Sequence, residues 1–227
     1  TSQINAVTFE ETFSPFLEQG KDILYLCFSS GLSGTYQSSQ LAMEELTQKY
    51  PQRTIRVVDT LCASMGEGLI VYLAAKMKQD GKSLEEVAQW TENNKQHLCQ
   101  WFTVDDLMFL KRGGRVSSTA AVFGTMLGIK PVLHVDSEGH LIPMQKVRGR
   151  KASLDALVQR MVDTATAPEN STVFISHGDC EQDAQYVAEQ IRQKLHVQDI
   201  VINFIGPVIG SHSGPGTVAL FFIGTQR

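Results

Sequence analysis

Ile23-Leu24-Tyr25-Leu26-Cys27-Phe28, followed at once by Ser29-Ser30-Gly31-Leu32-Ser33-Gly34-Thr35, is the stretch that decides the fold. The six-residue apolar run, closed by Ser29-Ser30-Gly31, reads as a fully buried strand. Beyond it, Ser38, Leu41, Ala42 and Leu46 fall at the one-face spacing of a helix. Ile55-Arg56-Val57-Val58 is a second strand, ended by Asp59-Thr60. Helices are predicted over residues 68–75 and 84–90, the latter with Ser83 as N-cap before Glu85 and Glu86. Buried strands alternating with helices predict a parallel sheet covered on both faces.

Past residue 112 the texture changes. Gly113-Gly114 and a Ser117-Ser118-Thr119 cluster precede Ile129-Lys130-Pro131-Val132-Leu133-His134-Val135 and the turn residues Ser137-Glu138-Gly139. A helix is predicted over 153–163, a strand over 172–176 and a helix over 183–195. Residues 200–205 and 218–223 read as strands flanking a glycine-rich stretch. These patterns predict a second α/β or α+β domain with antiparallel pairing. The domains are set at residues 1–112 and 113–227, with no low-complexity linker, and a ligand is expected in the cleft between two such domains.

At 227 residues and 25.1 kDa the chain can bury a substantial core. A composition 42% hydrophobic and 19% charged excludes a disordered, collagen-like or coiled-coil protein. A net charge of −4 and a pI near 5.9 argue against a nucleic-acid partner. No apolar stretch approaches the ~20 residues of a membrane helix. Cys27, Cys62, Cys99 and Cys180 are scattered and form no C-x-x-C pair, which suits a reducing, cytoplasmic setting. The chain opens at Thr1 with neither an initiator Met nor a signal peptide, and reads as a segment that begins in mid-protein. Six histidines without paired spacing predict no metal site. Between Leu107 and Leu154, eight basic residues face only Asp136 and Glu138. This zone reads either as a docking face for an acidic or phosphorylated partner or as an ordinary solvated lobe.

Three segments carry candidate chemistry. Ser29 to Thr35 places hydroxyls and glycines where a strand opens a helix, a receptor for a phosphate or carboxylate; the plainer reading is N-capping. Gly31-Leu32-Ser33-Gly34-Thr35 lacks the last glycine of a hydrolase elbow, although Asp59 and His212 remain conceivable partners for Ser33. No lysine follows the glycines as a Walker loop requires, so nucleotide binding is unsupported. In the second segment, Gly210-Ser211-His212-Ser213-Gly214-Pro215-Gly216, His212 sits in a permissive backbone and can give a hydrogen bond or a charge to an anion. His97, His134, His140, His177 and His196 read as structural or surface residues. The third segment is Leu110-Lys111-Arg112-Gly113-Gly114-Arg115, in which Arg115 could clamp a phosphate; a basic helix end with glycine caps is the alternative.

Taken in order, Thr1-Ser2-Gln3, the Ser29 to Thr35 run, Val58-Asp59-Thr60, Leu110 to Arg115, Gly128-Ile129-Lys130-Pro131 and His212 to Gly216 resemble the DegV family over nearly the whole chain. The resemblance implies a two-domain α/β protein holding a long-chain fatty acid, with no cofactor and no catalysis of its own. It also implies a partner, a separate ATP-dependent fatty acid kinase subunit that makes an acyl phosphate for bacterial phospholipid synthesis. By the same resemblance Thr1, Ser30, Ser33, Gly34 and His212 attend the carboxylate, while Arg115 with Lys111 and Arg112 supports kinase docking or phosphoryl transfer. The N-terminal stretch that family members carry ahead of Thr-Ser-Gln, with a first strand and an early Asp-Ser, is missing from these 227 residues. Part of the first sheet and pocket wall is therefore expected to lie outside them. Ile4 stands where proline is usual, a change an extended chain tolerates. The rival readings are a serine hydrolase or phosphatase using Ser33 and His212, and a small-anion sensor.

Overall fold

The structure, a computed structural model, describes residues 1–117, 128–225 and 227. It is a two-domain α/β fold whose compact units are Thr1–Ala63 with Ile70–Lys95, and Ser64–Leu69 with Gln96–Arg227. Of the hydroxyl cluster expected after the glycine pair, Ser118 and Thr119 lie outside the described residues.

In the first unit, β1 (Ile23–Cys27) and β2 (Ile55–Asp59) pair in parallel from Ile23↔Ile55 to Cys27↔Asp59. Two helices, α1 (Ala6–Glu18) and α2 (Thr35–Lys49), cover one face. Phe9, Phe13 and Leu17 recur every fourth residue along α1, one stripe of a helix, and meet Ala42, Leu46 and Ile55 in a single core. The Tyr25 ring lies 5.1 Å from Phe9 and 5.8 Å from Phe13. Asn5 starts α1 by accepting from Thr8 N at 2.9 Å. On α2 the buried residues are Ser39, Ala42 and Leu46, whereas Leu41 is 58% exposed, so the inward face is rotated from the predicted one. Ser39 is buried because its hydroxyl donates to Tyr36 O at 2.7 Å.

Helix α3 (Met65–Gln79) enters this unit at Ile70, and α4 (Leu84–Asn94) packs on both strands. Arg56 points away from the Ile55 side and meets Glu85 of α4 at 2.8 Å, which places α4 on the second face. The sheet is thus covered on both sides, yet β1 is only half-buried at four of its five positions. Among the described residues β1 pairs with β2 alone, and its half-burial departs from the full burial its apolar run predicts.

The predicted cap on α4 is present as a reciprocal capping box. Ser83 Oγ accepts from Glu86 N at 3.2 Å, and Ser83 N donates to Glu86 Oε2 at 2.8 Å. The bond from the Ser83 backbone, with Lys82 beside it, holds the Glu86 carboxyl down at about 2. Ser83→Ala is expected to cost about 1 kcal/mol in urea denaturation. An unchanged midpoint would show that this cap contributes nothing.

The second unit is a six-stranded sheet in the order β5-β4-β3-β8-β6-β7. Its strands are β3 (Leu98–Thr103), β4 (Ile129–Val135), β5 (Leu141–Arg148), β6 (Thr172–His177), β7 (Asp199–Phe204) and β8 (Val218–Ile223). All neighbours are antiparallel except β6 and β7, whose parallel pairing is made by a crossover through α7 (Glu181–Lys194). Helix α6 (Arg150–Thr164) and α7 cover one face, packing Leu157, Met161 and Ile191 against Trp101, Val132, Ile175, Leu220 and Phe222. The first turn of α3 lies on the other face. A Cβ on Gly66 would stand 2.6 Å from Gln100 Oε1 and 2.9 Å from the Phe221 ring, and Ser64 Oγ lies 3.1 Å from Ser176 Oγ.

The domain boundary expected after residue 112 falls earlier, because β3 is hydrogen-bonded between β4 and β8 and is buried along its whole length. Everything from Gln96 onward belongs to the second unit. Among the described residues it also holds the short helices α5 (Met108–Arg112) and α8 (Pro207–Ser213). No helix among the described residues is long and apolar enough to cross a membrane.

Candidate functional site

In the first unit the predicted anion loop is built on two strand ends. Asp59 Oδ1, at the end of β2, accepts from Ser30 N at 3.2 Å and Leu61 N at 3.0 Å. Ser29, fully buried, is tied through its backbone N–H to Cys62 O at 2.9 Å, and its hydroxyl accepts from Gly31 N at 3.2 Å. Asp59 is thereby engaged as a scaffold for the loop instead of orienting a catalytic base. The loop delivers Ser33 to the start of α2, where Ser33 Oγ lies 2.8 Å from Thr35 Oγ1 and accepts from Thr35 N at 3.3 Å. Gly34 is the N-cap and offers no side-chain bond. The backbone N–H groups of the first turn have no intrahelical acceptors, and the helix dipole makes this end positive. Two polarised hydroxyls at such an end suit a carboxylate or a phosphate oxygen.

The sequence reading assigns Gly34 to close approach by a ligand. The structure gives that space to Gln3: a Cβ on Gly34 would stand 2.6 Å from Gln3 Oε1 and 3.1 Å from Nε2. Gln3 Nε2 also reaches Ser38 Oγ at 3.5 Å. The Thr-Ser-Gln segment therefore runs against the start of α2, and exposed Thr1 lies two residues before the contact. Gln3 is the polar group that the reading of the Ser29 to Thr35 loop leaves out; the Thr-Ser-Gln motif is its signal in the sequence.

The second unit brings together two segments that the sequence treated separately. His212 lies in the last turn of α8, and its ring covers Gly113: a Cβ there would stand 3.2 Å from His212 Cγ and 3.3 Å from Cε1. Gly214 receives the Phe109 ring in the same way, at 2.6 Å. Side chains larger than hydrogen at either position would separate α5 from α8. Arg115 folds back so that Nη1 donates to Gly113 O, beside the imidazole. Burial first, and then the Arg115 guanidinium, push the His212 pKa below its ordinary value. That shift favours the neutral imidazole, which offers a hydrogen bond. Arg112 is exposed, and Lys111 and Arg115 are half-buried.

The histidines read as structural include His177, which is 2% exposed and accepts from Cys180 N at 3.3 Å, and His134, whose ring stacks on Trp101 at 5.0 Å. Among the described residues no group of three or more His, Cys, Asp or Glu could hold a metal ion.

A DegV domain-containing protein of Clostridium perfringens is 54% identical over 227 residues, all of this chain and 78% of the relative. One of Lactococcus lactis is 41% identical over 226 residues, 98% of this chain and 77% of the relative. Among solved structures, a DegV family protein of Thermus thermophilus described for its fatty acid binding is similar at 32% identity with a TM-score of 0.89, covering 98% of this chain and 78% of that one. A DegV lipid binding protein of Thermotoga maritima aligns at 32% identity and a TM-score of 0.86, covering 100% of this chain and 77% of that one. The model of the family described as "Uncharacterised protein, DegV family" matches residues 1–225, and the chain belongs to the DegV family.

Proposed function

We propose that this protein binds a long-chain fatty acid and presents its carboxylate to a separate, ATP-dependent kinase subunit. The observation that carries the binding is the Ser33–Thr35 hydroxyl pair, 2.8 Å apart at the positive end of α2. It is supported by fatty acid binding in the Thermus thermophilus relative. Burial of the acyl chain contributes ~0.8 kcal/mol per CH₂, so the tail supplies affinity and the hydroxyls supply orientation. Thr1, Ser30, Ser33 and the Gly34 backbone are assigned to the carboxylate, and so is His212. With the kinase, the carboxylate oxygen attacks the terminal phosphorus of ATP, giving an acyl phosphate and ADP. The exposed Arg112, with Lys111 and Arg115, is the docking face on this reading. Cys27, Cys62 and Cys99, buried and outside any disulfide, suit a cytoplasmic setting.

Organic extraction of the purified protein followed by mass spectrometry is expected to release a long-chain fatty acid in stoichiometric amount. Ser33→Ala removes a bond to a charged group worth about 1.5–3 kcal/mol, so oleate affinity should fall at least tenfold in calorimetry. Equal affinity in the variant would sink the assignment. Hydrolysis of a generic ester by the protein, lost in Ser33→Ala, would replace binding by a hydrolase reading.

A further inference from the structure

The loop from Ser213 to Thr217, directly after His212, is held from two sides within the second unit. On one side stands the turn after β6. Gly216 N donates to Gly178 O at 2.7 Å, Gly178 N donates to Thr217 O at 2.8 Å, and the Cys180 thiol donates to the same oxygen at 3.3 Å. The two backbones are in contact, since a Cβ on Gly178 would stand 2.8 Å from Gly214 O. On the other side stands Asp105, from the segment between β3 and α5. Its carboxyl carbon would lie 2.6 Å from a Cβ on Gly216.

Both flanks end on one guanidinium. Arg150, the first residue of α6, donates through Nε to Asp183 Oδ2 at 2.9 Å, and its Nη2 lies 2.7 Å from the same oxygen. Nη2 also points at Cys180 Sγ, 3.7 Å away. Nη1 is buried without a hydrogen-bond partner and makes an ionic contact with Asp105 Oδ1 at 3.6 Å. Lys130 already pairs with that carboxylate at 2.8 Å. Neutralising Asp105 is therefore not what Arg150 adds. Its planar fork adds geometry, joining two carboxylates and a thiol that a single ammonium could not reach together.

We propose that Arg150 is a positioning residue for His212: by joining the Asp105 and Cys180 flanks it fixes the Ser213 to Thr217 loop, and with it the imidazole against Gly113. The inference rests on the assignment of His212 to the carboxylate, and deepens it.

The test uses Arg150→Met, Arg150→Lys and Asp105→Asn in the 227-residue chain. It reads the His212 titration by NMR, assigned with His212→Asn, and oleate affinity by calorimetry. Arg150→Met should raise the His212 pKa toward its ordinary range and weaken oleate about fivefold to tenfold. Arg150→Lys should restore neither, because a point charge does not rebuild the fork. Asp105→Asn separates positioning from electrostatics. Losing a negative charge would by itself lower the pKa of His212, so a rise reports a displaced ring. The proposal is overturned if either a folded Arg150→Met or a folded Asp105→Asn protein titrates His212 as the wild type does. Should Arg150→Met not fold, the nearly isosteric Asp105→Asn decides alone. If the wild type takes no oleate, the fatty acid reading falls, while the His212 titration still decides the positioning.

Discussion

Gly216→Ala should lower the melting temperature of the second unit by roughly 10 °C, the sum of a backbone and a packing penalty. Gly216 sits at φ +75°, where an L side chain costs about 1–2 kcal/mol. Its new methyl would also meet the whole Asp105 side chain, with Cγ at 2.6 Å and Cβ at 3.0 Å. A flexible surface group would swing away at small cost. Asp105 is held by Lys130 at 2.8 Å and approached by Arg150 at 3.6 Å, so it gives only by breaking those contacts, an overpacking term of about 1–3 kcal/mol. Gly81 provides the control: its φ is +83°, but among the described residues nothing would lie within 4 Å of a Cβ there. Gly81→Ala should show the backbone cost alone. Equal melting losses for the two variants, read by circular dichroism, would mean that Asp105 does not resist displacement.

Glu67→Gln is expected to stabilise the protein by about 2–3 kcal/mol at pH 8 and to leave it unchanged at pH 4. Glu67 lies in the first turn of α3, where the helix dipole favours a carboxylate by ~0.3–1 kcal/mol. Burial opposes it and raises the pKa from 4.5 to about 7. The larger effect wins. Between those two values the folded chain holds a proton that the unfolded chain has released, so stability falls as pH rises from 4.5 through 7 and stays low above. Glutamine cannot ionise, and its profile lacks that descent. Parallel urea-stability profiles for wild type and Glu67→Gln across pH 4 to 8 would refute the burial of this carboxyl.

The fold was legible wherever one local rule acted alone. Ser83 followed by Glu86 announced α4, and Ile55 to Val58 announced β2, because capping and apolar runs are short-range signals. The strand β3 was not legible: Gln100 interrupts its apolar run, and its burial at 1% exposure depends on the first turn of α3, some thirty residues earlier. Missing β3 moved the domain boundary to residue 112. Helix α1 escaped as well, since Pro15 inside it reads as a breaker while the Phe9, Phe13 and Leu17 stripe needs α2 for its meaning. The glycine-rich stretch between the last two strands contains α8, which Pro207 starts and Gly214 ends.

The candidate site divides along the same line. The Ser29 to Thr35 loop was readable as an anion receptor because its hydroxyls are neighbours in sequence. That Gly34 serves Gln3, and that Gly113 serves His212, required the chain to fold back on itself. Asp59, a conceivable partner for Ser33 in the sequence, is engaged by two backbone amides.

The division of α3 between the units, at Leu69 and Ile70, has a consequence for how the protein is made. The turn that covers Gln100, Phe221 and Ser176 leaves the ribosome before any strand of the sheet it covers, and β8 comes last. Neither unit is a continuous stretch of gene, so a scissile cut between Lys95 and Gln96 would strand one face of the six-stranded sheet without its lid of Ser64–Leu69. Recombination or truncation at that point therefore yields two incomplete parts, and an N-terminal-first order of folding leaves residues 64–69 waiting until β8 has emerged.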